Sequence, residues 1–275
     1  MSQANRDGKR SARDRVAAER EAQRRRGRQR KRLGVLASVL VVLGVAVGIG
    51  IAVSTASAQP LSYTVPSNGS VVTDAYADPA HKATALAYGP ASAPHTLTVF
   101  EDFRCPFCKG LETGSASVYK AYANAGTLRV LFHPVTIIDT RDNGSGSLRS
   151  GAASVCAAAA GKFIEYHDVL YANQPDESTD GYRDPATLIA LAKKVPGLDS
   201  PTFESCVDSG GYKGLVQQDW SDYNALSLQG TPTLMLDGKP LTLPRALFQF
   251  SADGKTVTGS NPPVLKQILQ SAGLP

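Results

Sequence analysis

From residue 83 onward, short apolar runs alternate with longer stretches whose apolar positions recur at helical spacing. Ala83–Tyr88 predicts a short strand, and Gly89 and Pro90 a turn after it. Residues 95–103, rich in Thr, Val and Phe, predict the strongest strand in this half of the chain. From 106 to 125 the apolar side chains Leu111, Val118, Tyr119 and Tyr122 share one helical face, and Gly126 marks the end. Residues 128–132 predict a second strand; strand, helix and strand of this size make a right-handed βαβ unit. Then the texture changes. After a small, polar loop at 142–147, the Ala-rich stretch 148–171 predicts one helix, Asp184-Pro185 opens another running to 195, Pro201 starts a third, and 212–226 supplies a fourth. Four helices with no strand between them predict an all-helical insertion at about 143–226. Strand character resumes at 231–236, Asp237-Gly238 signals a hairpin turn, residues 241–243 predict the returning strand, and 262–272 a closing helix. There is no internal repeat.

The first 53 residues follow another pattern. Residues 1–32 hold 13 Lys and Arg against 4 Asp and Glu, a net +9, and 33–53 is a 21-residue run without charge. That run is long enough to span a bilayer core of about 30 Å. A basic flank ahead of a first span stays in the cytoplasm, which places the remainder outside the cell. The expectation is a basic cytoplasmic tail at 1–32, an uncleaved transmembrane anchor at 33–53, and a small, polar linker at 54–82. A removed signal peptide ending at Ala58, after Ala56-Ser57-Ala58, is the competing export signal. The last 222 residues carry 16 basic and 20 acidic side chains, so the chain's formal +5 belongs to the tail and argues against nucleic-acid binding.

Four cysteines, an even set, can pair in an oxidising compartment. Cys105 and Cys108 form a Cys-x-x-Cys pair where the strong strand meets the helix. If Cys105 opens that helix, its sulfur lies beside unpaired backbone N–H groups at the positive end of the dipole, which lowers a thiol pKa. Pro106 suits the first helical position. Cys108, one turn in, is then the more buried, resolving thiol. A zinc site would need a second pair of ligands, and neither Cys156 nor Cys206 has a Cys or His at ligand spacing, so no metal is expected. The scattered His81, His95, His133 and His167 point to no site; His167 reads as a packing or helix-surface residue, and Trp220 and Tyr223 as core.

The order of elements, with Phe100-Glu-Asp-Phe-Arg-Cys-Pro-Phe-Cys108, Cys156-Ala, Gly161-Lys-Phe-Ile-Glu-Tyr-His167, Phe203-Glu-Ser-Cys206 and Gly230-Thr-Pro-Thr233, resembles the DsbA-like thiol–disulfide oxidoreductases of the thioredoxin superfamily, membrane-anchored bacterial type, over residues 83–273. The resemblance implies an α/β thioredoxin-like fold with an inserted helical subdomain, occupying 83–275. It makes Cys105 the attacking and Cys108 the resolving cysteine, with Pro106 and Phe107 between them at the substrate. Thr231-Pro232 matches the dipeptide whose cis-proline packs on the active disulfide and leaves backbone groups free for an extended substrate. Cys156 and Cys206 match a structural disulfide, the alternatives being two buried thiols or a second redox pair. One position departs from the pattern: Val99 stands where many relatives carry a buried acid, and neither Glu101, on the same strand face, nor Asp102, on the other, is assumed to replace it.

The function this implies is a dithiol oxidase that introduces disulfides into exported cysteine-containing proteins, monomeric and without a cofactor. A quinone-linked membrane partner of the DsbB or vitamin K epoxide reductase-like type would re-oxidise it. A reductase or isomerase on the same fold, as in cytochrome c maturation, is the alternative, and a chaperone using the Thr231-Pro232 groove without turnover is a third.

Overall fold

The structure is a computed structural model describing residues 65–74 and 83–275; the expected tail, anchor, possible cleavage site and most of the expected linker lie outside the described residues. Among the described residues no helix is long and apolar enough to cross a membrane.

A six-stranded sheet organises the domain: β1 (Val71–Asp74), β2 (Ala83–Tyr88), β3 (His95–Glu101), β4 (Leu128–Pro134), β5 (Thr233–Leu236) and β6 (Lys239–Pro240), in spatial order β1-β2-β4-β3-β5-β6. Only β3 and β4 run parallel, in register from His95 opposite Leu128 to Glu101 opposite Pro134; helix α1 (Pro106–Asn124) makes the crossover. A parallel pair needs such a crossover. The strand β1 falls in the stretch whose polar composition predicted linker; it pairs antiparallel with β2 from Val71 opposite Leu86.

Alternation along β3 sends side chains to two different cores. Leu97 and Val99 join Leu111 and Tyr119 of α1, with Leu265 and Leu269 of the closing helix, in the largest apolar cluster. Phe100 faces the other way, with Tyr223, Met235 and the partly buried Trp220. Each large apolar side chain removed from water there contributes about 1.5–3 kcal/mol.

Between β4 and β5 the chain is helical: α2 (Ile137–Asp142), α3 (Gly146–Ala159), α4 (Phe163–Ala172), α5 (Pro185–Ala192), α6 (Pro201–Ser209) and α7 (Lys213–Ala225), with 3-10 turns at Glu177–Thr179 and Gly181–Arg183. The single helix expected over 148–171 is two. At the break Gly161 takes φ +69°, Lys162 N–H bonds the Ala157 carbonyl at 2.8 Å and Gly161 N–H the Ala158 carbonyl, a Schellman ending. The expected loop at 142–147 is shortened to 143–145, between the end of α2 and the start of α3. Tyr166 and Tyr182 donate their hydroxyls to the carbonyls of Leu188 and Leu170 and tie these helices together. Cys156 on α3 and Cys206 on α6 are joined as a disulfide, Cα atoms 6.0 Å apart.

The strand returning from β5 is Lys239–Pro240, directly after the Asp237-Gly238 turn, and not the expected 241–243; Leu241 and Leu243 pack as partly buried residues on the main core. A second hairpin, β7 (Phe248–Phe250) and β8 (Val257–Ser260), gave no alternating apolar signal, and α8 (Pro262–Ser271) closes the chain. The hairpin lies on α1 at glycines: a Cβ on Gly114 would stand 2.5 Å from Ser260 N, and one on Gly110 2.6 Å from Val257 Cγ1.

Candidate active site

The end of β3 turns sharply into α1 between Glu101 and Cys105. Asp102, fully buried, accepts the N–H groups of Arg104 at 2.8 Å and Ile138 at 2.9 Å, and Cys105 N–H bonds the Asp102 carbonyl. Burial pushes the Asp102 carboxyl up to about 7 against those two N–H bonds. Gln174, buried beyond the end of α4, donates to the carbonyls of Phe103 (2.8 Å) and Cys105 (3.1 Å), so the loop is clamped from the helical side. Arg104, 3 % exposed, ties the same loop to α2 through Asp139 (2.7 Å) and Asp142 (2.5 Å), and to Asp180 at 3.1 Å.

This scaffold sets Cys105 as the N-cap of α1, with Pro106 at the first helical position, and Cys108 one turn in. Both are free thiols, Cys105 5 % exposed and Cys108 0 %. The Cys105 thiol donates to the Thr231 carbonyl at 3.3 Å, across from the cis Thr231–Pro232 peptide. Its pKa is held below the ordinary thiol value, first by the Cys108 thiol; burial opposes this, and the Thr231 hydroxyl, buried and without another partner, adds to the lowering. Cys108 goes the other way, pushed well up by burial and then by Cys105. The two sulfurs of one motif are thus driven apart, one towards thiolate and one towards thiol.

Phe107 is exposed and rests edge-on against Phe248 of β7, centroids 5.0 Å apart; Arg245 lies over the neighbouring Phe250 ring at 3.8 Å. Beside it Phe107, Thr231, Pro232, Leu241, Leu243 and Phe248 line a groove of about 320 Å³. On the other flank of Cys105 a cleft of about 940 Å³ carries three basic side chains, Lys109, Arg141 and Lys255, and three acidic ones, Asp142, Asp176 and Glu177. Cys105 therefore lines the mixed-charge cleft, and the groove, which Gln229 and Thr233 also line, lies beyond Phe107 and Thr231. The structure brings Cys105, Pro106, Phe107, Cys108, Thr231 and Pro232 into one site, and sets the Cys156–Cys206 disulfide apart in the helical subdomain.

Sequence reasoning missed the groups beneath the site. Val99 is buried in the apolar core and supplies no acid, but two residues on, Glu101 points to the same side of the sheet. It meets His167 of α4, whose Nε2 lies 3.1 Å from Glu101 Oε1 and whose Nδ1 lies 3.2 Å from Asp168 Oδ1. His167 is fully buried and paired on both ring nitrogens, so it is not a helix-surface residue. Glu112 of α1 completes the group, its Oε2 accepting the Tyr119 hydroxyl. Among the described residues only Glu101, Glu112 and His167 bring three potential ligand atoms within 4.8 Å of one another. The signal available in the sequence was Glu112 itself, a carboxylate four residues after Cys108 on the apolar face of α1. Gln174 and Arg104 left no such trace, because their partners come from distant loops.

A family model described as thioredoxin matches residues 81–252. A Na(+)/H(+) antiporter NhaA 1 from Mycobacterium sp. (strain KMS) is 34% identical over 155 residues, 55% of this chain and 23% of the antiporter. The chain spans about a fifth of the length of such relatives, so the likeness is to one module of them. Disulfide bond formation protein D from Bacillus subtilis (strain 168) is 27% identical over 155 residues, 55% of this chain and 67% of that protein. Among solved structures, the reduced form of a disulfide bond oxidoreductase (DsbG) from Mycobacterium tuberculosis superposes with TM-score 0.54 at 24% identity, over 70% of this chain and 89% of that one; it shares the fold.

Proposed function

The chain belongs to the thioredoxin family, and from that premise we propose that it is a thiol–disulfide oxidoreductase that exchanges disulfides through Cys105 and Cys108. The observation carrying this is the opposed displacement of two thiols one helical turn apart, the outer one lowered at a helix N-terminus and the inner one raised by burial.

The direction we propose is oxidation of substrate dithiols. A substrate thiolate attacks Cys105 Sγ of the Cys105–Cys108 disulfide; the S–S bond breaks, Cys108 leaves as thiolate and takes up a proton. A second substrate thiolate then attacks the substrate sulfur of the mixed disulfide and displaces Cys105. The substrate loses two electrons and the enzyme pair gains them. A lowered Cys105 stabilises the reduced state, and a reduced state so stabilised makes the disulfide oxidising. The groove beside Thr231-Pro232, lined by Phe107, Leu241 and Phe248 together with Gln229 and Thr233, suits an extended segment, and exported proteins are the substrates we assign to it. Anchoring by 33–53, with the domain outside the cytoplasm and re-oxidation by a DsbB or vitamin K epoxide reductase-like membrane partner, completes the proposal. Its support is the charge pattern of the first 53 residues together with the likeness to a disulfide bond formation protein.

Alkylation of the reduced chain by iodoacetamide across pH tests this. Cys105 should react with a midpoint below the ordinary thiol value of about 8.5, while Cys108 stays protected. Cys108→Ala should raise the Cys105 midpoint, because the largest lowering contribution is lost. Two thiols of ordinary midpoint, or Cys108 reacting first, would remove the basis for the proposal.

A further inference from the structure

The place of a cysteine sulfur is set by the peptide planes on either side of its Cα. At Cys105 those planes have few handles. The Cys105–Pro106 peptide carries no N–H, so its carbonyl is its only hydrogen-bonding group. Cys105 is the N-cap of α1 and its side chain makes no capping bond, so its φ of −75° and ψ of 123° are held from elsewhere. Its carbonyl receives two donors, Lys109 N–H at 3.0 Å from the first turn of α1 and Gln174 Nε2 at 3.1 Å. Both lone pairs of that oxygen are thereby used. The same Gln174 nitrogen donates to the Phe103 carbonyl at 2.8 Å, and among the described residues no backbone N–H reaches that oxygen. One amide thus grips the chain before and after the thiol.

Gln174 is itself rooted in the helical subdomain. It is buried, its N–H bonds the Tyr171 carbonyl at 3.3 Å at the end of α4, and Pro175 follows it. Its own carbonyl accepts Lys109 Nζ at 3.2 Å. The Tyr171 ring lies 5.0 Å from the Phe103 ring, so the end of α4 and the Cys105 loop pack directly. Gln174 also lines the cleft beside Cys105.

On the thiol–disulfide reading above, we propose that Gln174 is a positioning residue of the exchange reaction: its amide, bonded to the carbonyls of Phe103 and Cys105, fixes the Cys105 backbone so that the sulfur stands at the N-terminus of α1 and across from Thr231. Gln174 touches no reacting atom. Its effect runs through geometry, because the groups that favour the Cys105 thiolate, the Cys108 thiol first and then Thr231, act at hydrogen-bond range. A turn of the Cys105 peptide takes the sulfur out of that range and leaves burial and the charge of Asp102 to oppose the thiolate. A thiolate less stabilised in this way makes the Cys105–Cys108 disulfide less oxidising.

The test replaces Gln174 in the full chain and reads Cys105 in two ways, by iodoacetamide alkylation across pH and by the thiol–disulfide equilibrium with glutathione. Gln174→Ala opens its place to the cleft, where water can take the two carbonyls, so the fold is kept. Gln174→Met keeps the bulk and removes both donors. Both variants should raise the alkylation midpoint of Cys105 and slow alkylation at neutral pH by about threefold or more, because less thiolate is present. Both should also shift the glutathione equilibrium towards the Cys105–Cys108 disulfide by about the same factor. Asn173→Ala is the control. The Asn173 side chain bonds the Val169 carbonyl at 2.7 Å and Lys194, not the Cys105 loop, so this variant loosens the same helix end and should leave midpoint and equilibrium at wild-type values. A Gln174→Ala chain with the wild-type midpoint and equilibrium would overturn the assignment, whatever Gln174→Met does. So would an Asn173→Ala chain shifted as far as Gln174→Ala, since the effect is then a general loosening of α4. Either result leaves the thiol–disulfide reading standing. A wild-type chain with no lowered midpoint and no exchange with glutathione would overturn that reading itself.

Discussion

Cys105 and Cys108 differ by one helical turn and by chemistry. The N-cap position gives Cys105 the dipole end and the Thr231 contact; one turn deeper, burial dominates and Cys108 stays protonated. What holds this difference in place is the tight passage from β3 into α1, and Arg104 is its anchor. Its guanidinium is buried against Asp139, with Asp142 nearer the surface. The side-chain bond to Asp142, opposed by burial, is the largest contribution raising Arg104 and also holds the Asp142 carboxyl down, so the group stays an ion pair at neutral pH. Arg104→Met leaves the buried Asp139 without its cation. Denaturant unfolding should show a loss of about 3 kcal/mol; a change within about 0.5 kcal/mol would mean the pair is not what fixes the loop.

At the scale of elements, the hairpin β7–β8 reaches the site because α1 has no side chain at Gly110 and Gly114. Alanine at position 114 gains up to about 1 kcal/mol in helix propensity but sets a methyl 2.5 Å from Ser260 N, a backbone atom that cannot give way cheaply. Overpacking of this kind costs about 1–3 kcal/mol, so Gly114→Ala should be net destabilising and should loosen Phe248 from Phe107. A higher urea midpoint for the variant would contradict the packing described. The same two glycines show why the hairpin was illegible in the sequence. Gly inside a helical pattern reads only as a weak spot, and β7 and β8 are too short to alternate. β1 was hidden likewise, since four residues of mixed polarity acquire strand geometry only by pairing with β2. The strands at 83–88, 95–101 and 128–134 and the helix after Cys105 were legible because their apolar periods are long. The break at Gly161 was readable in principle, as a glycine after an alanine run is a C-cap signal.

For the whole molecule, composition separated a basic, apolar N-terminal region from a slightly acidic domain, the Cys-x-x-Cys spacing located the thiols, the run of helical patterns the insertion, and the family resemblance the Thr231-Pro232 peptide. What composition and spacing left dark is what the fold assembles from afar: Gln174 on the Cys105 loop, Arg104 among three aspartates, and the Glu101–Glu112–His167 cluster. Most of these partners lie 35 to 76 residues apart, so no local pattern encodes them. The account turns on one property of the assembled site, that its reduced form is stabilised enough to make its disulfide an oxidant. The equilibrium reduction potential of the chain, titrated against glutathione, measures this directly. The account predicts a value of about −120 to −180 mV. A value near thioredoxin's, about −270 mV, would contradict it and make the chain a reductase.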